Sequence, residues 1–244
     1  MIQGTKKRFV HLICVIALIF TGCQKNQGLV EISGQLSPSE GFTLKLSEMD
    51  PREMIPVDSV SLNSEGTFQF EFPVAEPGFY ILEAANGKIV VLIIHPGDKI
   101  VVSGNAENFP DDIQIKGSQE AIELHKFFTE TRLLEKSIDS LEQVLMSQQD
   151  DDNYFEVTSQ ADTLLRKIWE EQRAREISFI EKNAAKLSSL VVINYAFSVT
   201  PTLGMEDDFH YYLLLDSTLS AVFPENKHVQ FHKQRMVNFI PPQP

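Results

Sequence analysis

The sequence predicts an α+β protein: an N-terminal antiparallel β-sandwich or open barrel, followed by a helical region with a long antiparallel helix hairpin. Three observations carry this. Residues 29–117 alternate apolar and polar side chains with a period of two and are punctuated by turn residues. After Gly117 the apolar spacing lengthens to three and four residues. The chain has 244 residues, 43% hydrophobic and 23% charged, which is ample material for a core and too apolar for wholesale disorder.

The first 22 residues stand outside that fold. Lys6, Lys7 and Arg8 precede an apolar run from Phe9 to Phe20, interrupted only by His11. Roughly a dozen residues make a helix of about 18 Å, too short for a hydrocarbon core of about 30 Å. Residues 1–22 are therefore expected to be a signal peptide. The run ends Phe20-Thr21-Gly22-Cys23, with small residues directly before the cysteine. It resembles the lipobox of bacterial lipoproteins, although Phe20 stands where Leu is usual. The resemblance implies cleavage before Cys23, lipidation of the Cys23 sulfur and acylation of the new N-terminus, which gives stable anchoring. Residues 23–28 then form a lipidated tether. Gln24 is not the Asp that resembles an inner-membrane retention signal. The expected site is the outer membrane of a Gram-negative bacterium, and the lack of acidic residues after Cys23 favours the periplasmic side.

Between 29 and 117 the strands follow in order. Val30 and Ile32 alternate with polar residues, as do Phe42, Leu44 and Leu46. Val60 and Leu62 lead into the turn signal Asn63-Ser64-Glu65-Gly66. Phe68, Phe70 and Phe72 mark the core face of a strand rather than a ligand groove. Tyr80, Leu82 and Ala84 precede Asn86-Gly87, a hairpin dipeptide. Ile89 to Ile94 is apolar throughout, as for a central strand buried on both faces. His95-Pro96-Gly97-Asp98 is a turn, and Ile100 with Val102, then Ile113 with Ile115, supply the last strands. Some eight short strands result.

Residues 118–240 read as helices. Ser118 suits an N-cap, and Leu124, Phe127, Leu134, Ile138, Leu141 and Leu145 form one stripe. Asp150-Asp151-Asp152 interrupts. A second helix spans about 154–185, with Val157, Ala161, Leu164 and Ile168 on one face. The short connection implies an antiparallel hairpin. Three further helices are expected: 190–197, then 209–222 with Leu213, Leu214 and Leu219 inward, then 228–240. Residues 241–244 are a Pro-rich end that cannot continue a helix.

The chemistry-bearing residues are few. The chain carries a formal net charge of −13, and removing Lys6, Lys7 and Arg8 with the signal peptide takes this to −16. Such acidity argues against nucleic acid. Of two cysteines, Cys14 lies in the signal peptide and Cys23 is the expected lipid anchor, which leaves no thiol for catalysis or a disulfide. His228 and His232 sit four apart, a metal-compatible spacing, but only His210 offers a third ligand. They are expected as exposed helix histidines, and no metal or cofactor is expected. The Asp150–Asp152 run lacks the spacing, Gly and terminal Glu of a calcium loop. No Gly-x-Ser-x-Gly, P-loop or Gly-x-Gly-x-x-Gly occurs, and no catalytic residue is assigned.

Several stretches, in order, resemble one family. They are Asp58-Ser59-Val60, Gly66-Thr67-Phe68-Gln69-Phe70, Pro77-Gly78-Phe79-Tyr80, His95-Pro96-Gly97-Asp98-Lys99-Ile100 and Ile115-Lys116-Gly117-Ser118. Phe179-Ile180-Glu181-Lys182-Asn183 and Phe223-Pro224-Glu225-Asn226 follow in the helical half. Together they resemble the N-terminal domain of unknown function and helical connector of lipid-anchored periplasmic thioredoxin-like thiol-disulfide oxidoreductases. In that family a thioredoxin domain with a Cys-x-x-Cys pair would follow. The sequence here runs to Pro244 without one, so the resemblance implies location and architecture but no redox residue. The expectation is a non-enzymatic envelope lipoprotein with a binding or scaffolding role. It would meet the membrane through Cys23 and a protein partner or second copy through helices 118–186. The alternative is the truncated or split front half of such an oxidoreductase, recruiting a redox partner.

Overall fold

The computed structural model describes residues 28–38, 41–149 and 153–239. Cys23, the signal peptide and the Pro-rich end lie outside them. The order is eight strands followed by helices: an α+β fold, as the sequence predicts. One four-stranded sheet contains β4 (Thr67–Val74), β1 (Gly28–Ser37), β7 (Lys99–Asn105) and β8 (Ile113–Lys116), in that spatial order. The other contains β3 (Met54–Ser61), β2 (Thr43–Met49), β5 (Gly78–Ala84) and β6 (Ile89–Ile94). Inward residues of both sheets share one core, with Ile32, Phe70 and Ile100 on one side and Leu44, Leu82 and Leu92 on the other. Phe68, Phe70 and Phe72 all point into it.

Two details depart from the antiparallel, central-strand expectation. β1 and β7 pair in parallel, with Ile32 opposite Ile100. The apolar run of β6 lies at a sheet edge, not its centre. It is apolar because the sheet lies between two layers. Val90, Leu92 and Ile94 face the sandwich core. Val91 and Ile93 face a second core made with the helices. β3 starts at Met54, well before the Val60 that announced it, because an edge strand with one face to water needs little apolar pattern.

The helical layer begins where Ser118 caps α1 (Gln119–Ser147). Its hydroxyl accepts the Ala121 N–H and donates to the Ile93 carbonyl at the β6 edge. α1 and α2 (Tyr154–Asn183) run antiparallel, as Glu123–Lys186, Glu130–Arg175 and Thr131–Gln172 contacts show. At the root of this hairpin Gln172 and Glu176 are fully buried. Thr131 donates to Gln172, and Gln172 and Thr202 donate to Glu176. Burial raises the Glu176 carboxyl above the usual carboxylate range despite those bonds. At the far end Val144, Met146 and Phe155 are exposed.

Of the remaining helices, the one expected over 190–197 is cut back, while the one expected over 209–222 keeps its bounds. α3 is Ser188–Ile193 and stops four residues early. Ala196–Phe197 (β9) instead pairs with Thr200–Pro201 (β10) across Ser198 and Val199, both at positive φ. Phe197, fully buried edge-on to Trp169, fixes that reversal. In α4 (Phe209–Val222) the buried residues are Tyr212, Leu215 and Leu219, while Leu213 is 49% exposed. The inward stripe is thus rotated from the expected one. α5 (Lys227–Asn238) closes the described chain. Leu164 of α2, expected inward, is also exposed.

Candidate functional site

The helices meet the outer face of the second sheet at two joints. At the first, the His95 ring lies 3.0 Å from Glu120, whose other carboxylate oxygen accepts the Ser188 N–H. The hydrogen bond and charge of Glu120 raise the His95 pKa against its burial. At the second, Asn226 is the N-cap of α5. Its carboxamide oxygen accepts the His228 and Val229 N–H groups, and its Nδ2 donates to the Pro77 carbonyl at 2.6 Å. Beside it Lys227 pairs with Glu48 and Asp50 of the β2 end.

Residues 30–124 match the family model described as a domain of unknown function (DUF4369). No curated protein and no solved structure matches the chain. The DUF4369 stretch takes in both sheets and the first turns of α1, so the first joint, His95 to Glu120, lies within it, while Asn226 and Lys227 reach it from outside.

Beyond the two joints, which lie at the Gly78–Ile94 end of the sheet, a cleft of about 1050 Å³ runs toward the β5–β6 hairpin at Gly87. One wall belongs to the DUF4369 stretch: Met49, Phe79 and Val91. The other comes from α1, α3 and α5: Phe128, Leu190 and Phe231. Charged side chains ring it. Arg132 and Lys136 of α1 both engage Asp111. Burial alone would raise the Asp111 pKa, but the hydrogen bonds from Lys136 and Arg132 hold it below the usual range. Tyr195 donates to Glu135 at 2.6 Å, and burial with that bond pushes its hydroxyl pKa up.

His228 and His232 line this cleft but are buried, 6% and 3% exposed, against the expectation of exposed histidines. The His228 ring stacks on Phe79, with centroids 4.0 Å apart. Burial, then the neighbouring Lys227 charge, push its pKa down to about 4. The His232 ring donates to the Tyr212 carbonyl at 3.1 Å, and burial lowers its pKa too. His210 is exposed on α4, and the three do not converge. Among the described residues no group of three or more His, Cys, Asp or Glu is placed to hold a metal. The described residues lining the cleft include no Ser, Thr or Cys. What this surface offers is apolar contact area with charges at its rim, the composition of a binding cleft.

Sequence reasoning did not find the cleft, because its walls lie in different halves of the chain. The one local signal was Phe223-Pro224-Glu225-Asn226, a break followed by a capping residue. Asn226→Ala removes the α5 cap and the Pro77 bond together, and should cost about 2 kcal/mol. Asn226→Ser keeps a capping oxygen and should cost less. Urea unfolding of the two variants separates cap from joint; equal losses would show that the capping oxygen contributes nothing and that the whole cost is the Pro77 bond.

Proposed function

We propose that the protein is a non-enzymatic cell-envelope lipoprotein, anchored through Cys23, with a binding or scaffolding role. The cleft between the second sheet and the helices carries the reading: a large, mainly apolar recess with a charged rim and no Ser, Thr or Cys among its described lining residues. The α1–α2 hairpin supports a second contact, with a protein partner or another copy. Val144, Met146 and Phe155 remain exposed where the arm runs beyond the body, and exposed apolar groups clustered on one feature mark interaction surfaces. The lipobox resemblance supports the anchor. No described helix is long and apolar enough to cross a membrane.

The test is in cells. Cys23→Ser should move the protein from the membrane to the soluble fraction and abolish fatty-acyl labelling. A photo-crosslinking residue at Phe231, in the cleft, or at Met146, on the arm, should recover a defined partner. A chain that keeps its membrane association as Cys23→Ser, or that crosslinks to nothing at both positions, would sink the reading. The split-oxidoreductase alternative rests on the family resemblance and makes a sharper demand: the crosslinked partner should be a thioredoxin-like protein.

A further inference from the structure

The geometry points to the free edge of β6 as a strand-addition site for an extended, acidic segment of a partner protein. This rests on the cleft being a binding site. β6 is the last strand of its sheet. The Lys88 carbonyl accepts the Ala84 N–H, so residues 88, 90, 92 and 94 face β5, and residues 89, 91 and 93 turn their backbone groups outward. The Ile93 carbonyl is taken by the Ser118 hydroxyl. The outward N–H and C=O groups of Ile89 and Val91 have no partner among the described residues.

Edge strands are normally shielded by proline, charge or a bulge. The opposite edge of the same sheet follows that rule: β3 carries Pro56 and Asp58 and lies against a register break at Leu46/Ser47. β6 has none of these and is apolar at every position. Its protection is the α1 wall across the cleft, where Phe128, Arg132 and Lys136 face the stretch Gly87–Val91. The edge is thus recessed in a slot, which admits one extended strand and not the sheet of a second copy.

Charge selects the occupant. Lys88 and Arg235, both at the cleft, have no carboxylate partner among the described residues, and Arg132 and Lys136 share the one carboxylate of Asp111. Of the other carboxylates lining the cleft, Glu135 accepts from Tyr195 and Asp139 lies one turn further along α1. Asp50, paired with Lys227, and Glu53 belong to the β2–β3 turn at the Phe79–Ile93 end of the sheet, away from Gly87–Val91. In a chain of net charge −13, this is where an acidic segment meets cations. Main-chain bonds to Ile89 and Val91 would supply affinity, and alternate side chains would enter the cleft beside Val91 and Phe128.

The test selects a displayed library of random peptides of about ten residues against the full chain in detergent. The expected binders are rich in Asp or Glu alternating with β-branched residues. They should slow hydrogen exchange of the Ile89 and Val91 amides at least tenfold. Val91→Pro removes only an outward N–H, so the β5 ladder stays intact, and it should weaken binding at least twentyfold. Lys136→Glu should weaken it about fivefold. Binders that ignore Val91→Pro and leave both amides unprotected, yet compete with a crosslinker at Phe231, would overturn strand addition and leave the cleft reading standing. Selection of no binder at all would overturn both. Should Val91→Pro fail to fold, the wild-type chain decides: the same peptide N-methylated at alternate residues should lose binding, and undiminished binding would refute the proposal.

Discussion

Gly34→Ala should be among the most damaging single substitutions in the protein, lowering stability by about 3 kcal/mol or more. Gly34 lies in β1 between two partners, Phe68 of β4 and Val102 of β7. A Cβ at Gly34 would stand 2.8 Å from the Val102 carbonyl carbon and closer still to its oxygen, with the Phe68 ring at 3.0 Å. Neither neighbour can withdraw, because both belong to strands hydrogen-bonded to β1. Even one methyl group therefore has to push two ladders apart at the centre of a sheet. Gly87 is the control. It sits in the β5–β6 hairpin at φ 78° with nothing within 4 Å of an added Cβ, so Gly87→Ala meets only the left-handed backbone cost of about 1–2 kcal/mol. With a slope of about 1–3 kcal/mol/M for urea, Gly34→Ala should lose about 1–3 M of midpoint. Equal midpoints for the two variants would show that the sheet yields at Gly34.

Acidification should loosen the joint between sandwich and helices well before the carboxylates titrate. His228 is the reason. Its pKa is about 4 in the folded chain and about 6.5 in an unfolded one. Above pH 6.5 both states are neutral there and His228 contributes no pH dependence. Between 6.5 and 4 the unfolded state takes up a proton that the folded state refuses, so stability falls as the pH drops, by about 3 kcal/mol near pH 4. His125 and His232, also depressed by burial, act in the same direction. His95 acts oppositely: its raised pKa makes the Glu120 contact stabilising below pH 6.5, a contribution lost as the pH rises through its folded pKa. His228→Leu should lose the Phe79 stack at every pH but flatten the decline between pH 6.5 and 4. Stability measured by urea at several pH values reads this directly. A slope unchanged by His228→Leu would place the acid sensitivity elsewhere.

Much of the sandwich was legible because its determinants are local. Period-two runs such as Phe68-Gln69-Phe70-Glu71-Phe72 commit a strand to one buried face, and Ser118 before a stripe of Leu and Phe marks a helix start. What escaped is what depends on distant segments. Nothing in Val30 or Ile32 says that the neighbour is Ile100 in parallel rather than a hairpin partner. Ile89 to Ile94 reads as doubly buried, which is nearly right, but sequence cannot say that one cover is a helical layer instead of a sheet interior. The helical half misled more often. Polar residues there are buried when a second element supplies the partner: Gln172 and Glu176 lie in a charged run that reads as solvent-facing, yet Thr131 and Thr202 close a network around them. His228 looks like a surface residue until Phe79, some 150 positions earlier, comes to lie against it.

The 95–98 turn sets a distance. Gly28, the first described residue, packs on Pro96 and Gly97 of that turn, closely enough that any side chain there would collide. His95 in the same turn holds the root of α1 through Glu120. Tether and arm therefore start at one corner of the sandwich. α1 then runs the length of the β-layer to Asp111, in the loop between β7 and β8 at the opposite end, where Arg132 and Lys136 meet it. Eleven more residues, Ser137–Ser147, carry the helix about 16 Å past that end. With Cys23 in the bilayer as proposed, the sandwich is a strut and the arm a boom fixed to it. The apolar tip at Met146 and Phe155 then lies beyond the whole span of the β-layer from the corner where the tether begins. Lengthening the tether would carry the whole body further from its anchor, whereas adding turns to the hairpin would extend the reach of the arm alone.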